Sequence, residues 1–210
     1  MTDANLHGIY CGSTDIPLNE EGISGLSELL NSCAYPYAEW VFSSPLSRAK
    51  ETAKLLYGDT EIIEIEDLRE MSFGEFEGKS MSELKNNDLF AGFITGKPHA
   101  IPKGAETPEA FFSRCEDAII SIVKLMMTSN VHSAAVITHA SIIGNILAYL
   151  AYPKAQPYEW NPNFGCGYTV IADPTLFLRE PVLEVIAEIP KYYDDNDLFD
   201  FGEDDRYLYD

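Results

Sequence analysis

One stretch constrains the fold more than any other: Ala134 to Leu150, AAVITHASIIGNILAYL. The small and β-branched run Ala135-Val136-Ile137-Thr138 predicts a buried strand, His139-Ala140-Ser141 interrupts it, and Ile142, Ile143, Ile146, Leu147 and Leu150 recur at helical spacing. Strand, tight turn and helix place His139 just past the carboxyl end of a strand and at the amino end of a helix. Open α/β sheets carry their ligand sites at that edge, and free helix N–H groups there favour an anion. A phosphate-handling site is the first expectation, although a histidine beside an apolar strand is more often a satisfied core or turn residue.

A second unit of the same kind raises that expectation. Trp40-Val41-Phe42 predicts a short strand, Ser43-Ser44-Pro45 follows it, and LSRAKETAKLLY predicts a helix with Ser44 as N-cap and Pro45 at the first helical position. Arg48 then lies near the carboxyl edge of its strand, the same edge as His139. Elsewhere, Thr2 to Leu18 predicts a long ordered loop, Asn19 starts a helix that ends before Tyr35-Pro36, and Glu61 to Ile65 predicts a strand. Asp67 to Lys79 is a charged loop that Phe73 and Phe76 pin to the body; its acids Glu70, Glu75 and Glu77 cannot be told apart by spacing. One or two short helices follow between Ser80 and Thr95, and Thr107-Pro108 opens the longest helix, to Thr128, with Phe111, Phe112, Cys115, Ile119, Ile122, Val123 and Met126 as its apolar face. Gly167 to Ala172 and Val182 to Ile186 predict two late strands, an antiparallel edge turning at Asp173-Pro174.

Composition narrows the function. At 210 residues and 46% hydrophobic the chain suffices for one domain, expected over 1–190, with 191–210 an acidic tail carrying eight acids against Lys191 and Arg206. A net charge of −20 leaves no basic surface for a nucleic-acid backbone. No apolar run is long enough to span a bilayer, and MTDANLHG lacks the basic start and apolar stretch of a secretory signal, so the cytoplasm is the default expectation. Cys11, Cys33, Cys115 and Cys166 are scattered without a Cys-x-x-Cys pair, which fits reduced thiols and no zinc site. No cysteine has an arginine six residues later, and neither a G-x-x-x-x-G-K-[ST] phosphate loop nor a G-x-S-x-G elbow occurs. The acidic tail lacks the ligand spacing of a calcium loop.

Four stretches in order, GIYCGSTDIPLNEEG, SSPLSRAKETA, LREMSFGEFEG and VITHAS, resemble the histidine phosphatase superfamily, also called phosphoglycerate-mutase-like. HAIPKGAETPEAFFSR and FGCGYTVIAD further resemble its branch of α-ribazole phosphatases of cobalamin synthesis. The resemblance implies a three-layer α/β/α fold with a mostly parallel sheet and an antiparallel edge. It implies that Arg48 clamps phosphate, that Glu70 is the acid/base carboxylate and that His139 is the second histidine beside the transferred phosphoryl group. Thr2, Asn5, Cys11, Gly12 and Ala140 would contact substrate. The residue types suit the chemistry: Arg grips phosphoryl oxygens bidentately, a carboxylic acid protonates the leaving alkoxide, and a neutral imidazole attacks phosphorus and holds it until water removes it. No metal or organic cofactor is implied.

In that family the nucleophilic histidine sits in an Arg-His-Gly triplet that ends a central first strand, a few residues before the position of Thr2. The triplet is absent from the 210 residues, and His7, five residues past Thr2, reads as a loop residue. The expectation is an enzyme truncated at its start, nearly without turnover as it stands, and of reduced stability for want of its first strand. Its activity would be phosphomonoesterase action on a small phosphorylated metabolite, with α-ribazole 5′-phosphate as the sharper candidate. A mutase-type phosphotransferase and a phosphate-binding pseudoenzyme are the alternatives, and oligomeric state is written in no pattern of the chain.

Overall fold

The computed structural model describes residues 1–95, 97 and 99–193. Strands and helices follow in the order α1 (Asp3–Leu6), α2 (Glu20–Ser32), β1 (Cys33–Ala34), β2 (Trp40–Ser43), α3 (Ser47–Tyr57) and β3 (Ile62–Glu64). Next come α4 (Met81–Leu84), α5 (Asp88–Ile94), α6 (Pro108–Ser129), β4 (Ala134–Ile137), α7 (Ala140–Leu150) and β5 (Ala151–Tyr152). The chain ends on β6 (Gly167–Ile171), α8 (Pro174–Phe177), β7 (Leu183–Ile189) and β8 (Lys191–Tyr192).

The period-two alternation of three parallel strands, ordered β3-β2-β4, builds the layers around the site. Val41, Ala135, Ile62 and Ile137 point to one side, where they pack on Ala53 and Tyr57 of α3. Trp40, Phe42, Ile63, Ala134 and Val136 point to the other, where they meet Ala118, Ile122 and Met126 of α6. Both faces are covered, as parallel sheets require. A second three-stranded sheet, β5-β7-β6, pairs β5 with β7 in parallel and β6 with β7 antiparallel. Its residues Tyr168, Leu183 and Val185, with Ala172 just past β6, join Phe111 and Cys115 of α6 and the apolar stripe of α7 in the largest core cluster. The fold is α/β with mostly parallel pairing and an antiparallel late pair. Among the described residues β4 pairs only with β2 and β6 only with β7, so each has one edge without a strand partner.

Several local signals act as expected. Asn19 caps α2 by accepting from the Gly22 N–H at 2.8 Å, and Thr107 caps α6 through the Ala110 N–H at 3.1 Å with Pro108 in its first turn. Gly22 has no room for a side chain, because a Cβ there would fall 2.2 Å from the Met1 carbonyl oxygen. Three expectations are corrected. The Thr2–Leu18 segment is not all loop, since a reciprocal capping box between Thr2 and Asn5 supports the single turn α1. The turn at Asp173-Pro174 holds a short helix, α8, capped by the Asp173 side chain. Lys191 and Tyr192, placed in the acidic tail by composition, pair antiparallel with Ala34 and Cys33. The rest of that expected tail, 194–210, lies outside the described residues.

Candidate active site

The site starts from strand register. Ser43 of β2 stands opposite Ile137 of β4, and the Ser44 N–H continues the ladder by donating to the Ile137 carbonyl at 2.9 Å. Both strands therefore end at the same level, which delivers Ser44 and His139 to one edge. There the Ser44 hydroxyl and His139 Nε2 lie 2.8 Å apart, with Ser44 fully buried and His139 9% exposed. This replaces the N-cap role expected of Ser44. Helix α3 starts three residues later, at Ser47, whose N–H and hydroxyl donate to the two carboxylate oxygens of Asp15 at 2.7 and 2.9 Å.

Arg48, the second residue of α3, turns back toward the 12–14 loop. Its Nη2 donates to the Gly12 carbonyl at 2.6 Å and its Nη1 to the Thr14 carbonyl at 2.9 Å. The loop is held in turn by Glu77, whose carboxylate accepts from the Gly12 N–H, the Ser13 N–H, the Thr14 hydroxyl and the Phe73 N–H at 2.7–3.0 Å. Only glycine fits at position 12, since a Cβ would sit 1.9 Å from the Met71 carbonyl oxygen. The 12–14 loop, itself held by Glu77, thus braces the guanidinium from one side, and a fixed guanidinium keeps its remaining N–H groups for an anion.

Glu70 enters from the segment after β3. A 3-10 turn at Glu66–Leu68 redirects the chain, and the Thr138 hydroxyl donates to the Leu68 carbonyl at 2.9 Å, tying that turn to the end of β4. Arg114 of α6 fixes the next residues: its Nη1 donates to the carbonyls of Asp67 and Arg69 at 2.7 and 2.8 Å, and its Nη2 reaches that of Glu70 at 3.4 Å. The same guanidinium forks onto Glu106 through Nε and Nη2 at 2.6 and 2.8 Å. Glu70 is left 8% exposed, accepting from the Met71 N–H at 2.8 Å. Of the three loop acids, Glu70 is the one in the site, Glu77 braces the loop, and Glu75 accepts weakly from the Lys103 N–H at 3.4 Å.

Electrostatics set the protonation states. Burial pushes the Glu70 carboxyl up from its ordinary value, against the Met71 N–H, Ser141 and the Arg48 charge, which pull it down. Burial, aided by the charges of Arg48 and Arg114, depresses His139 to about 3. The imidazole is neutral at pH 7 and the carboxyl is biased toward its acid form, a proton donor and an uncharged histidine beside one arginine. The histidine has a consequence for stability. Between its ordinary value of 6.5 and about 3, the unfolded chain holds a proton on residue 139 that the folded chain does not. Stability is therefore lost as pH falls through that window, with a slope of up to about 1.4 kcal/mol per pH unit from this group. Glu70, raised by burial, contributes in the opposite sense in both proteins, so the slope is read as the difference in unfolding free energy between the native sequence and His139→Gln, followed by urea denaturation between pH 6 and 4.

Not every residue implied for the site is gathered there. Cys11 and Gly12 stand beside Arg48, and the Arg48 charge acts on the Cys11 thiol. Ala140 opens α7 next to His139. Thr2 and Asn5 are occupied with each other, the Thr2 N–H and hydroxyl both donating to Asn5 Oδ1 at 2.9 Å, and no described contact of theirs reaches Arg48, Glu70 or His139. Ser44, Ser141, Glu77 and Arg114 are the additions that pattern reading missed. For Ser44 the signal was available, since it follows a strand that ends at the same edge as His139's. For Arg114 the signal was an arginine beside Phe111 and Cys115 on an apolar helix face.

The fold and this sheet-edge site define a phosphoglycerate-mutase-like α/β protein. Residues 1–172 match the Histidine phosphatase superfamily (branch 1), and the chain belongs to that family. By family it is an enzyme, a phosphatase. It is 28% identical over 170 residues to the adenosylcobalamin/alpha-ribazole phosphatase of Salmonella typhimurium, covering 79% of this chain and 83% of that protein. The crystal structure of the alpha-ribazole phosphatase from Shigella flexneri superposes with a TM-score of 0.72 at 24% identity, over 89% of this chain and 91% of that one. A phosphoserine phosphatase from Entamoeba histolytica, a histidine-to-alanine mutant in complex with phosphoserine, gives a TM-score of 0.65 at 22% identity, over 87% and 89% of the two chains. Among the described residues no helix is long and apolar enough to cross a membrane.

Proposed function

We propose that this chain's site serves a phosphomonoesterase acting on a small phosphorylated metabolite, with α-ribazole 5′-phosphate as the sharper substrate. The observation that carries the reading is the convergence of Arg48, Glu70 and His139 on one sheet edge, with the carboxyl biased toward its acid form and the imidazole held neutral. Arg48 grips the phosphoryl oxygens, Glu70 protonates the departing alkoxide and later deprotonates water, and His139 stands beside the phosphoryl group as it moves between oxygen and an attacking imidazole. Cys11, Gly12 and Ala140 form the nearby wall. No metal or organic cofactor takes part, and the cytoplasm is the compartment that fits the free thiols. Release of inorganic phosphate separates this reading from a mutase, which leaves phosphate on a second hydroxyl.

The attacking imidazole is the element in question. Among the four histidines only His139 is buried at the site; His7 is exposed, with Nδ1 bonded to the Asp3 carbonyl at 2.8 Å, and His99 and His132 are exposed as well. That favours a second reading, in which the 210 residues bind phosphate ligands without turning them over. Both readings require the same anion site. Isothermal titration with inorganic phosphate is expected to give binding that Arg48→Ala weakens 10- to 100-fold, the loss typical of a charge-assisted contact. Equal affinity in the two proteins would remove the basis of both.

A further inference from the structure

A cleft of about 260 Å³ opens where the first turns of α7 face the 157–161 segment, lined by Ser141, Gly144, Asn145, Pro157, Tyr158 and Asn161 among others. We propose that this cleft receives the leaving alcohol of the phosphomonoester and selects a hydroxyl-rich group of about pentose size over a hydrophobic one. The inference rests on the phosphatase reading of Arg48, Glu70 and His139.

Position comes first. Ala140 and Ser141 line the cleft, and they directly follow His139, the N-cap of α7, at the sheet edge that carries the site. The group bonded to a phosphoryl oxygen held at this edge therefore has the cleft as its neighbouring space. The cleft therefore opens at the first turn of the same helix that His139 caps, directly beside the phosphoryl site.

Chemistry gives the selectivity. None of the lining side chains is an acid or a base that carries charge at neutral pH: they are a hydroxyl, two amides, a phenol, alanine, glycine and proline. Asn145 is oriented by its own backbone neighbour, with Nδ2 donating to the Ser141 carbonyl at 2.7 Å, which leaves Oδ1 as an acceptor for a ligand hydroxyl. Tyr158 is 77% exposed, free to lay a ring against the C–H face of a sugar. The walls are close because residue 144 lacks a side chain: a Cβ there would lie 2.8 Å from the Pro157 carbonyl oxygen. At about 260 Å³ the space is below the range of pockets that engulf drug-sized ligands, which suits a single ring. Fixed acceptors discriminate most strongly against groups that lack the matching hydroxyl, because the polar partner is then left without a bond.

The test uses the full chain and three probes that share a phosphate: inorganic phosphate, ribose 5-phosphate and phenyl phosphate, each titrated calorimetrically. Ribose 5-phosphate is expected to bind more tightly than phenyl phosphate. Asn145→Leu, nearly isosteric, is expected to weaken ribose 5-phosphate about tenfold, the loss of one good hydrogen bond, and to leave inorganic phosphate unchanged. Asn161→Ala, on the exposed wall, repeats the comparison without touching α7 and is expected to move ribose 5-phosphate in the same direction. The proposal is overturned if phenyl phosphate binds as tightly as ribose 5-phosphate, or if both variants leave the three affinities in their original ratio. If the native chain binds none of the three, the phosphate reading itself fails, and the cleft proposal fails with it.

Discussion

A version of the chain extended before Thr2 by an apolar segment ending in Arg-His-Gly is expected to exceed the 210-residue chain in turnover of p-nitrophenyl phosphate by about 10⁶-fold. The magnitude is that of deleting the nucleophile from a covalent mechanism, where the residual groups recover little because they act as a unit with the missing one. Arg48 can hold a phosphoryl group and Glu70 can protonate an alkoxide, but neither forms the phosphorus bond that splits the reaction into two easier halves. His139 is the one buried imidazole of the site, and its Nε2 is already engaged with the Ser44 hydroxyl at 2.8 Å. Phosphatase turnover by the unextended chain with a phosphohistidine trapped at residue 139 would show that His139 is itself the nucleophile.

The same extension carries a prediction of stability. β4 and β6 each lack a partner on one edge among the described residues. Val170 and Ile171 of β6 are exposed at 37% and 49%. A further apolar strand seated on either edge would cover such residues and bury its own. Four aliphatic side chains at about 1.5–3 kcal/mol each amount to a large part of the ~5–15 kcal/mol that holds a domain together. A marked rise in melting temperature is expected to accompany the rise in turnover, and turnover without it would mean that the histidine arrives on a flexible arm.

The parts of this site that were legible are those set by local pattern. Strand, turn and helix around Phe42 and Val136 followed from short periodic runs, and placing Arg48 and His139 at one edge needed only the rule that parallel strands end together. What escaped was decided by distant partners. Ser44 before proline carries the usual signature of a helix start, yet α3 begins at Ser47, whose N–H and hydroxyl are met by Asp15, 32 residues earlier in the chain. Glu70, Glu75 and Glu77 share a loop and a composition, and contacts with the 12–14 loop and α6 alone give them different roles. Arg114 sat on a helix face whose periodicity pointed to core packing, and periodicity carries no information about what an embedded guanidinium holds. The division of the strands into two three-stranded sheets was likewise invisible, since register is a property of pairs.

Replacing Arg114 by methionine is expected to cost about 3–5 kcal/mol of unfolding free energy, the largest loss expected from a single substitution outside the apolar core. The guanidinium and its partner Glu106 are 10% and 13% exposed, so removing one leaves the other as a poorly hydrated, unpaired charge. The loss does not stop at the pair. The carbonyls of Asp67 and Arg69 each lose a charged donor at 2.7–2.8 Å, and these are the residues that lead the chain into Glu70. Combining Arg114→Met with Glu106→Gln removes the stranded carboxylate and is expected to recover part of the stability. Because the carbonyls stay without their donor, the Glu70 segment stays loose. The two effects separate in measurement: urea denaturation reports the pair, and the titration of the Glu70 carboxyl, followed by carbon NMR, reports the segment. In the double variant the Glu70 carboxyl is expected to drop toward the ordinary glutamate value as water reaches it, since burial is what raises it. A double variant that recovers full stability with Glu70 titrating as in the native chain would make the Arg114 fork a dispensable ion pair, and would leave the backbone of the 3-10 turn to place the acid by itself.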